Sequence, residues 1–147
     1  MSSILPLGRT INSTASVTTA AKRVSLRDAS GCLIYLVNST GATPFTVTEA
    51  NASSGGTSQA LSGLGIGTVY WTQAAGSGVW TASAVSVAGQ ITSINGAGAL
   101  HAIWIPQGML SDGFSYVACS HATGTAILNL MDLDVQRKVT NLRDVTA

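Results

Sequence analysis

The amino-acid sequence predicts an all-β protein, an antiparallel β-sandwich of the jelly-roll or immunoglobulin-like type with extended terminal arms. Runs rich in β-branched and aromatic residues recur along the chain, and about eight to ten of them have strand length. Turn residues separate these runs at the spacing of sandwiches and barrels, and no segment sustains a helical apolar period. We predict an N-terminal arm at residues 1–16, a single sandwich domain at 17–136 and a C-terminal tail at 137–147.

The first half of the predicted sandwich begins with a β-branched, moderately alternating strand at residues 17–26. Residues 32–37 are apolar at every position, which predicts a strand buried on both faces. Residues 45–49 alternate with period two, as half-buried strands do. A Ser- and Gly-rich loop at 51–58 then leads to a short strand at 59–61.

The second half opens with a predicted hairpin over residues 68–83, whose two apolar runs flank Gly76-Ser77-Gly78. A weak strand follows at 91–94, and a stronger one at 100–105 ends at Pro106. These patterns place three or more β-strands in the centre of the chain.

The last third holds one predicted turn of helix at 106–112 and a strand at 114–120. The longest strand covers 125–135, and its period of two places one set of apolar side chains on a single face: Ile127, Met131, Leu133 and Val135.

Charge is scarce, and most of it lies near the two ends of the chain. Charged residues make up 9% of the sequence and the net charge is +1, whereas a typical domain has about 25% charged residues. Between Ser30 and Met131 the only residues of the types Asp, Glu, Lys and Arg are Glu49 and Asp112. With so few charges, little electrostatic repulsion keeps copies of the protein apart, so the composition favours a subunit covered by its neighbours. The alternative is a soluble β domain coated with Ser and Thr.

Every basic residue lies near one end of the chain. The two interpretations are arms that grip a partner and termini that only stay solvated. Seven basic residues diluted by acidic ones are too few for a nucleic-acid footprint, so we predict no nucleic-acid partner. The candidate partner-facing residues are Arg9, Lys22, Arg23, Arg27, Arg137, Lys138 and Arg143.

Few residue combinations could support catalysis. Glu49 and Asp112 would have to lie about 5–10 Å apart to act as a carboxylate pair, and we interpret them instead as a solvent-facing Glu and a turn Asp. Cys119 and His121 share a strand face, but zinc requires three or four ligands. Cys32 and Cys119 are interpreted as buried free thiols, and a disulfide between neighbouring strands is the alternative. We therefore predict no catalytic, cofactor-binding or metal-binding residue and no enzyme activity.

Three tryptophans, Trp71, Trp80 and Trp104, are either sugar-stacking platforms or packing residues of a core or interface, and we favour packing. No apolar run approaches the roughly 20 residues that span a bilayer. The start of the chain lacks the pattern of a signal peptide. We expect a protein made and kept in a cytoplasm, or built into something assembled there, without a membrane partner.

Several segments of the sequence resemble segments of a known class of proteins. They are residues 19–26, residues 45–50 with 59–61, residues 111–117, and residues 133–142. Together they make the chain similar to the small β proteins of tailed-bacteriophage head gene clusters, the decoration, cement or minor head proteins. The resemblance implies a structural virion protein, often a homotrimer, that binds the outside of the major capsid protein shell and stabilises the head. It implies assembly in the host cytoplasm and no small-molecule substrate. The alternatives are a tail, connector or fibre-base subunit, or a carbohydrate-binding module.

Overall fold

The computed structural model describes residues 9–14, 22–37, 44–92, 97–122 and 124–133, with the side chains of 9–14 and 132–133 excepted. These residues form eleven strands and one short 3₁₀ helix, which confirms the prediction of an all-β fold. They include no helix long and apolar enough to cross a bilayer.

Most strands overlap the predicted segments. The strand predicted at 17–26 is a strand only at Val24–Ser25, and the one predicted at 91–94 is Gln90–Ile91. Residues 17–21, 93–94 and 134–135 of the predicted strands lie outside the described residues. The 3₁₀ helix, Gln107–Met109, falls where one turn of helix is predicted. The strands are β1 (Arg9–Thr14), β2 (Val24–Ser25), β3 (Ala29–Val37), β4 (Phe45–Ala50), β5 (Ser58–Ala60), β6 (Val69–Gln73), β7 (Trp80–Ala84), β8 (Gln90–Ile91), β9 (Leu100–Pro106), β10 (Tyr116–Ser120) and β11 (Thr125–Leu133).

The strands form two antiparallel sheets. The first sheet has six strands in the order β1-β11-β3-β9-β6-β7. The second has the order β2-β10-β4-β5, and β8 also pairs with β4. One cluster of buried apolar side chains takes members from both sheets, which confirms the β-sandwich.

The strand pairing identifies the sandwich as a jelly roll. β1 pairs with β11, β2 with β10, β3 with β9, and β4 with β5. These nested pairs are what results when one long hairpin is rolled up into two sheets, and the pattern selects the jelly roll over the immunoglobulin-like alternative. Strands β6, β7 and β8 are an insertion between β5 and β9. The β6–β7 hairpin, present as predicted, extends the first sheet beyond the jelly roll.

The core is built from alternate residues of the facing strands. On β4, Phe45 and Val47 are fully buried while Thr46 and Thr48 are half-buried, as predicted for this strand. The fully buried large side chains include Leu26, Ile34, Leu36, Leu61, Leu64, Ile91, Ile103, Ile105 and Leu128. Each such side chain contributes about 1.5–3 kcal/mol by leaving water.

Strand β11 does not direct its predicted apolar face towards the core. Ile127 and Met131 do share a face, but this face lies outside the core and both are only half-buried. The core side of β11 is formed by Ala126, Leu128 and Leu130. The outer face of β11 is mixed, since Thr125 and Asn129 lie on it beside Ile127 and Met131, whereas the core side is apolar from Ala126 to Leu130.

The predicted N-terminal arm differs from the structure over part of its length. Within residues 1–16, β1 pairs with β11 from Arg9–Leu130 to Thr14–Thr125, so this part is an edge strand rather than a free arm. Pairing with β1 also covers the backbone edge that β11 would otherwise present to solvent. The predicted tail, 137–147, lies outside the described residues.

Candidate functional site

The outer surface of the six-stranded sheet is the most unusual surface of the molecule. Aromatic and aliphatic side chains cover it, and a six-stranded sheet gives it a broad, continuous area. We call this surface the aromatic face and define it by Leu33, Tyr35, Val37, Val69, Trp71, Trp80, Leu100, Trp104 and Ile127.

Strand register arranges the aromatic rings with small residues between them. Tyr35 pairs with Ala102, Ala102 pairs with Trp71, and Trp71 pairs with Ala82. Tyr35 and Trp71 therefore stand two strands apart, which is about 10 Å. Ala102 is thus the small residue between the two rings, and Ala82 lies beyond Trp71 on β7.

Trp104 lies against the backbone of the neighbouring strand. A β carbon on Gly31 of β3 would lie 2.6 Å from Cζ2 of the Trp104 indole and 2.5 Å from the carbonyl oxygen of Ile105. Only glycine leaves room for this approach. Gly31 thus lets the indole lean over the sheet.

We expect Gly31→Ala to push the Trp104 indole off the sheet and to lower the free energy of unfolding by about 1–3 kcal/mol, since the added methyl group overpacks a closed site. Tryptophan fluorescence reports the displaced indole and urea unfolding reports the stability. Gly65→Ala is the matched control, because a β carbon there meets no atom within 4 Å. Equal effects of the two substitutions would contradict the contact.

The aromatic face is exposed and carries no charge. Trp71 is 50% exposed, Trp80 40%, and Tyr35 and Trp104 are each 39% exposed. The favoured prediction is packing in a core or in an interface, and this exposure excludes the core. Packing in an interface and stacking on a sugar both stay predictions. None of the residues that define the face is acidic or basic. A large exposed apolar patch of this kind marks an interaction surface.

The outer side of strand β3 has the apolar composition of a buried strand. Its sequence predicts burial on both faces, but only the face of Cys32, Ile34 and Leu36 is buried. On the opposite face, Leu33 and Val37 are half-buried and Tyr35 is exposed. The prediction is wrong for the chain by itself because no second layer of described residues covers this side of the sheet.

Three of the seven predicted basic contacts have described side chains, and these three lie on the sheet opposite the aromatic face. Lys22, Arg23 and Arg27 flank β2, the edge strand of the opposite sheet. Arg23 donates hydrogen bonds to the carbonyl oxygens of Ala52, at 3.0 Å, and Gly55. This guanidinium therefore anchors the loop between β4 and β5.

The other six candidates differ in how far the structure places them. Lys22 and Arg27 are exposed, and Arg27 Nε donates to Ser115 Oγ at 3.2 Å. Arg9 begins the edge strand β1. The three remaining candidates lie outside the described residues: Arg137, Lys138 and Arg143. Their role at a partner surface stays a prediction.

Glu49 is not the solvent-facing residue that its position at a strand end suggests. Its side chain is fully buried. Ser111 donates to it twice, from the backbone N–H at 2.8 Å and from Oγ at 2.7 Å. Gln59 Nε2 donates at 2.7 Å and Ser62 Oγ at 3.5 Å. The carboxylate thereby ties β4 to β5 and to the loop before β10.

This environment makes Glu49 a structural carboxylate. Burial raises its pKa, but the hydrogen bonds from Gln59, Ser111 and Ser62 together outweigh burial and hold the pKa below its usual value. A carboxylate stabilised in this way is a weak base. Asp112 is exposed in the turn, as predicted, and follows directly after the Ser111 that binds Glu49. The sequence contained no sign of this contact.

Two histidines lie at one end of the core. The Phe45 ring stacks on His121 with 4.0 Å between centroids and is tilted against His101 at 5.7 Å. His101 is fully buried, and neither ring nitrogen has a hydrogen-bond partner. Burial, with a smaller contribution from His121, lowers the pKa of His101 to about 4, so its ring is neutral at pH 7.

Both cysteines are buried free thiols, as predicted. Burial raises the pKa of Cys32 to about 12 and also raises that of Cys119. These thiols are therefore poor nucleophiles. Across the part of the chain that the structure describes, no group of three or more His, Cys, Asp or Glu side chains could hold a metal ion. Cys119 and His121 are both buried, but they form no such group.

A scan against protein-family models, a search of curated proteins and a search of solved structures find no match to this chain.

Proposed function

We propose that this protein is a structural virion component, a capsid decoration protein that binds the outer surface of the major capsid protein shell and stabilises the head. The observation that carries the proposal is the aromatic face of the six-stranded sheet, whose defining residues carry no charge and which no other layer of described residues covers. This face would dock on the partner, and the protein would perform no chemistry.

The side chains of the face have the composition of an interface core. Trp and Tyr are enriched where binding energy concentrates, and charged residues are depleted there. The apolar outer side of β3 also indicates an interface, because strands that are apolar on both sides are usually covered by protein on both sides. The low net charge of +1 suits a subunit surrounded by other copies and partners.

The jelly-roll topology is compatible with this role by analogy. Viral capsid domains and lectins are among the proteins that use it. Because one fold supports many functions, the topology agrees with the proposal but does not by itself establish the function.

The test mixes the full chain with heads that lack it and measures co-sedimentation. We expect the wild type to bind, and Trp71→Ala combined with Trp104→Ala to weaken binding by about 30-fold or more, as for removal of central aromatic residues. Lys22→Ala with Arg27→Ala is the matched double variant on the opposite sheet. We expect it to change binding less, and mainly at low salt.

Binding by the wild type that only the basic double variant abolishes would support the decoration role but reject the aromatic face as the contact. No binding of the wild type to heads would overturn the proposal itself. Fluorescence and unfolding curves of each variant establish that the chain remains folded.

A tail, connector or fibre-base subunit is the related alternative, and it would use the same kind of covered surface. The number of copies per particle separates the two roles. A shell protein is present in as many copies as the capsid has equivalent positions. A tail or neck protein is present only in the few copies that make up small symmetric rings.

A carbohydrate-binding module is the second candidate, and one specific observation favours it. Trp71, Trp80 and Trp104 share one uncharged face and are 50%, 40% and 39% exposed. Aromatic faces can stack on sugar rings, and the absence of charge would suit a neutral glycan. Binding of neutral polysaccharides that disappears with single Trp→Ala variants would favour this candidate. No retention on any neutral polysaccharide would remove it.

A further inference from the structure

The inserted hairpin leaves an open strand edge at one end of the six-stranded sheet. β7 pairs with β6 along its whole length, from Trp80–Gln73 to Ala84–Val69. No other described strand pairs with β7. Four of its five residues are exposed and the fifth is half-buried, so solvent reaches both faces of the strand.

The backbone groups on this edge can be identified. Val85, directly after β7, donates its N–H to Thr68 and accepts from Gly67, so its backbone points towards the β6 side. Backbone direction alternates along a strand. Thr81 and Ser83 therefore point towards β6 as well. The N–H and C=O groups of Trp80, Ala82 and Ala84 point outward.

The sequence of β7, Trp-Thr-Ala-Ser-Ala, is complementary to itself when two copies run antiparallel about Ala82. Trp80 of one copy then lies opposite Ala84 of the other, so a large side chain meets a small one. On the other face Thr81 lies opposite Ser83, a pairing in which cross-strand hydroxyl groups hydrogen-bond. The outward backbone groups of Trp80, Ala82 and Ala84 become hydrogen-bonded pairs across the twofold axis.

Charge does not oppose this contact. A twofold contact brings each residue near its own copy, so any charged residue on the edge would face a like charge. From residue 50 to residue 111 the chain has no Asp, Glu, Lys or Arg. The edge also lacks the lysine or proline with which soluble proteins protect open strands.

We propose that β7 is a self-association edge, at which a second copy of this chain pairs antiparallel about Ala82 and joins the two six-stranded sheets into one. This contact does not depend on the proposed capsid role. It is twofold, so it can be added to the threefold association that the resemblance implies.

The experiment measures the molar mass of the full chain by light scattering and sedimentation. We expect an even number of copies in the wild type. Ala82→Pro removes an outward N–H without touching the ladder to β6, and edge strands tolerate proline at such positions. Ala82→Lys places two like charges on the axis. We expect either substitution to halve the molar mass.

Mixing Ala82→Lys with Ala82→Glu is expected to restore the wild-type mass, because opposite charges then meet at the axis. Ser53→Lys, which adds the same charge to an exposed loop, is expected to leave the mass unchanged. An odd number of copies in the wild type would overturn the proposal, and so would a mass that neither Ala82→Lys nor the mixture changes. The mixture test holds even if Ala82→Pro fails to fold.

Discussion

Replacing Glu49 by Ala is expected to lower the free energy of unfolding by about 3–4 kcal/mol, since it strands buried donors and leaves a cavity. Ser111 contributes two of the four hydrogen bonds to this carboxylate, and one of them comes from its backbone N–H. In a domain of this size the loss corresponds to a fall in Tm of about 10 °C. Thermal and urea unfolding at pH 7 measure it.

Glu49→Gln keeps the shape of the side chain but puts an amide donor among groups that themselves donate. We expect it to cost about 2 kcal/mol, between the wild type and Glu49→Ala. Asp112→Ala is the control, because Asp112 is the neighbouring exposed carboxyl. If Glu49→Ala were no more destabilising than Asp112→Ala, the carboxylate would not hold β4, β5 and the Ser111 loop together.

Mild acid is expected to destabilise the protein through His101. The folded-state pKa is about 4 and the ordinary value is 6.5, so the unfolded chain takes up the proton first as the pH falls. The stability is therefore complete above pH 6.5 and decreases as the pH falls towards 4. The difference in pKa corresponds to about 3 kcal/mol. Urea unfolding at a series of pH values measures this decrease.

His101→Phe tests this assignment, because it removes the titrating ring and both unpartnered nitrogens. We expect the decrease between pH 6.5 and 4 to become smaller by about 3 kcal/mol, and the stability at pH 7 to rise by about 1 kcal/mol. His101→Leu gives the same pH comparison if the larger Phe ring does not fit between Phe45 and Tyr70. An unchanged pH dependence in both variants would reject His101 as its source.

Glu49 acts at lower pH than His101. Its folded-state pKa lies below the ordinary 4.5, so its contribution is complete above that pH and is lost as the pH falls through the folded-state pKa. The wild type is thus expected to lose stability in two steps on acidification. Glu49→Gln should remove the lower step and leave the upper one.

Local pattern made most strands predictable. β4 alternates apolar and polar residues with period two, and the structure buries the apolar set. The β6–β7 hairpin follows from two apolar runs around Gly76-Ser77-Gly78. Such signals depend only on neighbouring residues, so they survive without knowledge of the fold.

The candidate site was less predictable, because the exposure of its residues depends on whether another part of the protein covers each face of the sheet. The apolar run at residues 32–37 predicted burial on both sides, and the structure leaves Tyr35 exposed. The position of Glu49 at a strand end suggested exposure, yet the chain returns 62 residues later to bury it under Ser111. Neither outcome has a counterpart in the local sequence.

The sequence by itself determined an all-β sandwich and a nearly uncharged central part of the chain, since periodicity, turn residues and composition are local properties. Only the tertiary structure decided the rolled topology, the exposure of the tryptophans on one face and the open edge at β7. The physical reason is that strand order and sheet stacking bring together residues far apart in the chain. These long-range contacts determine which apolar side chains leave water and which stay available to a partner.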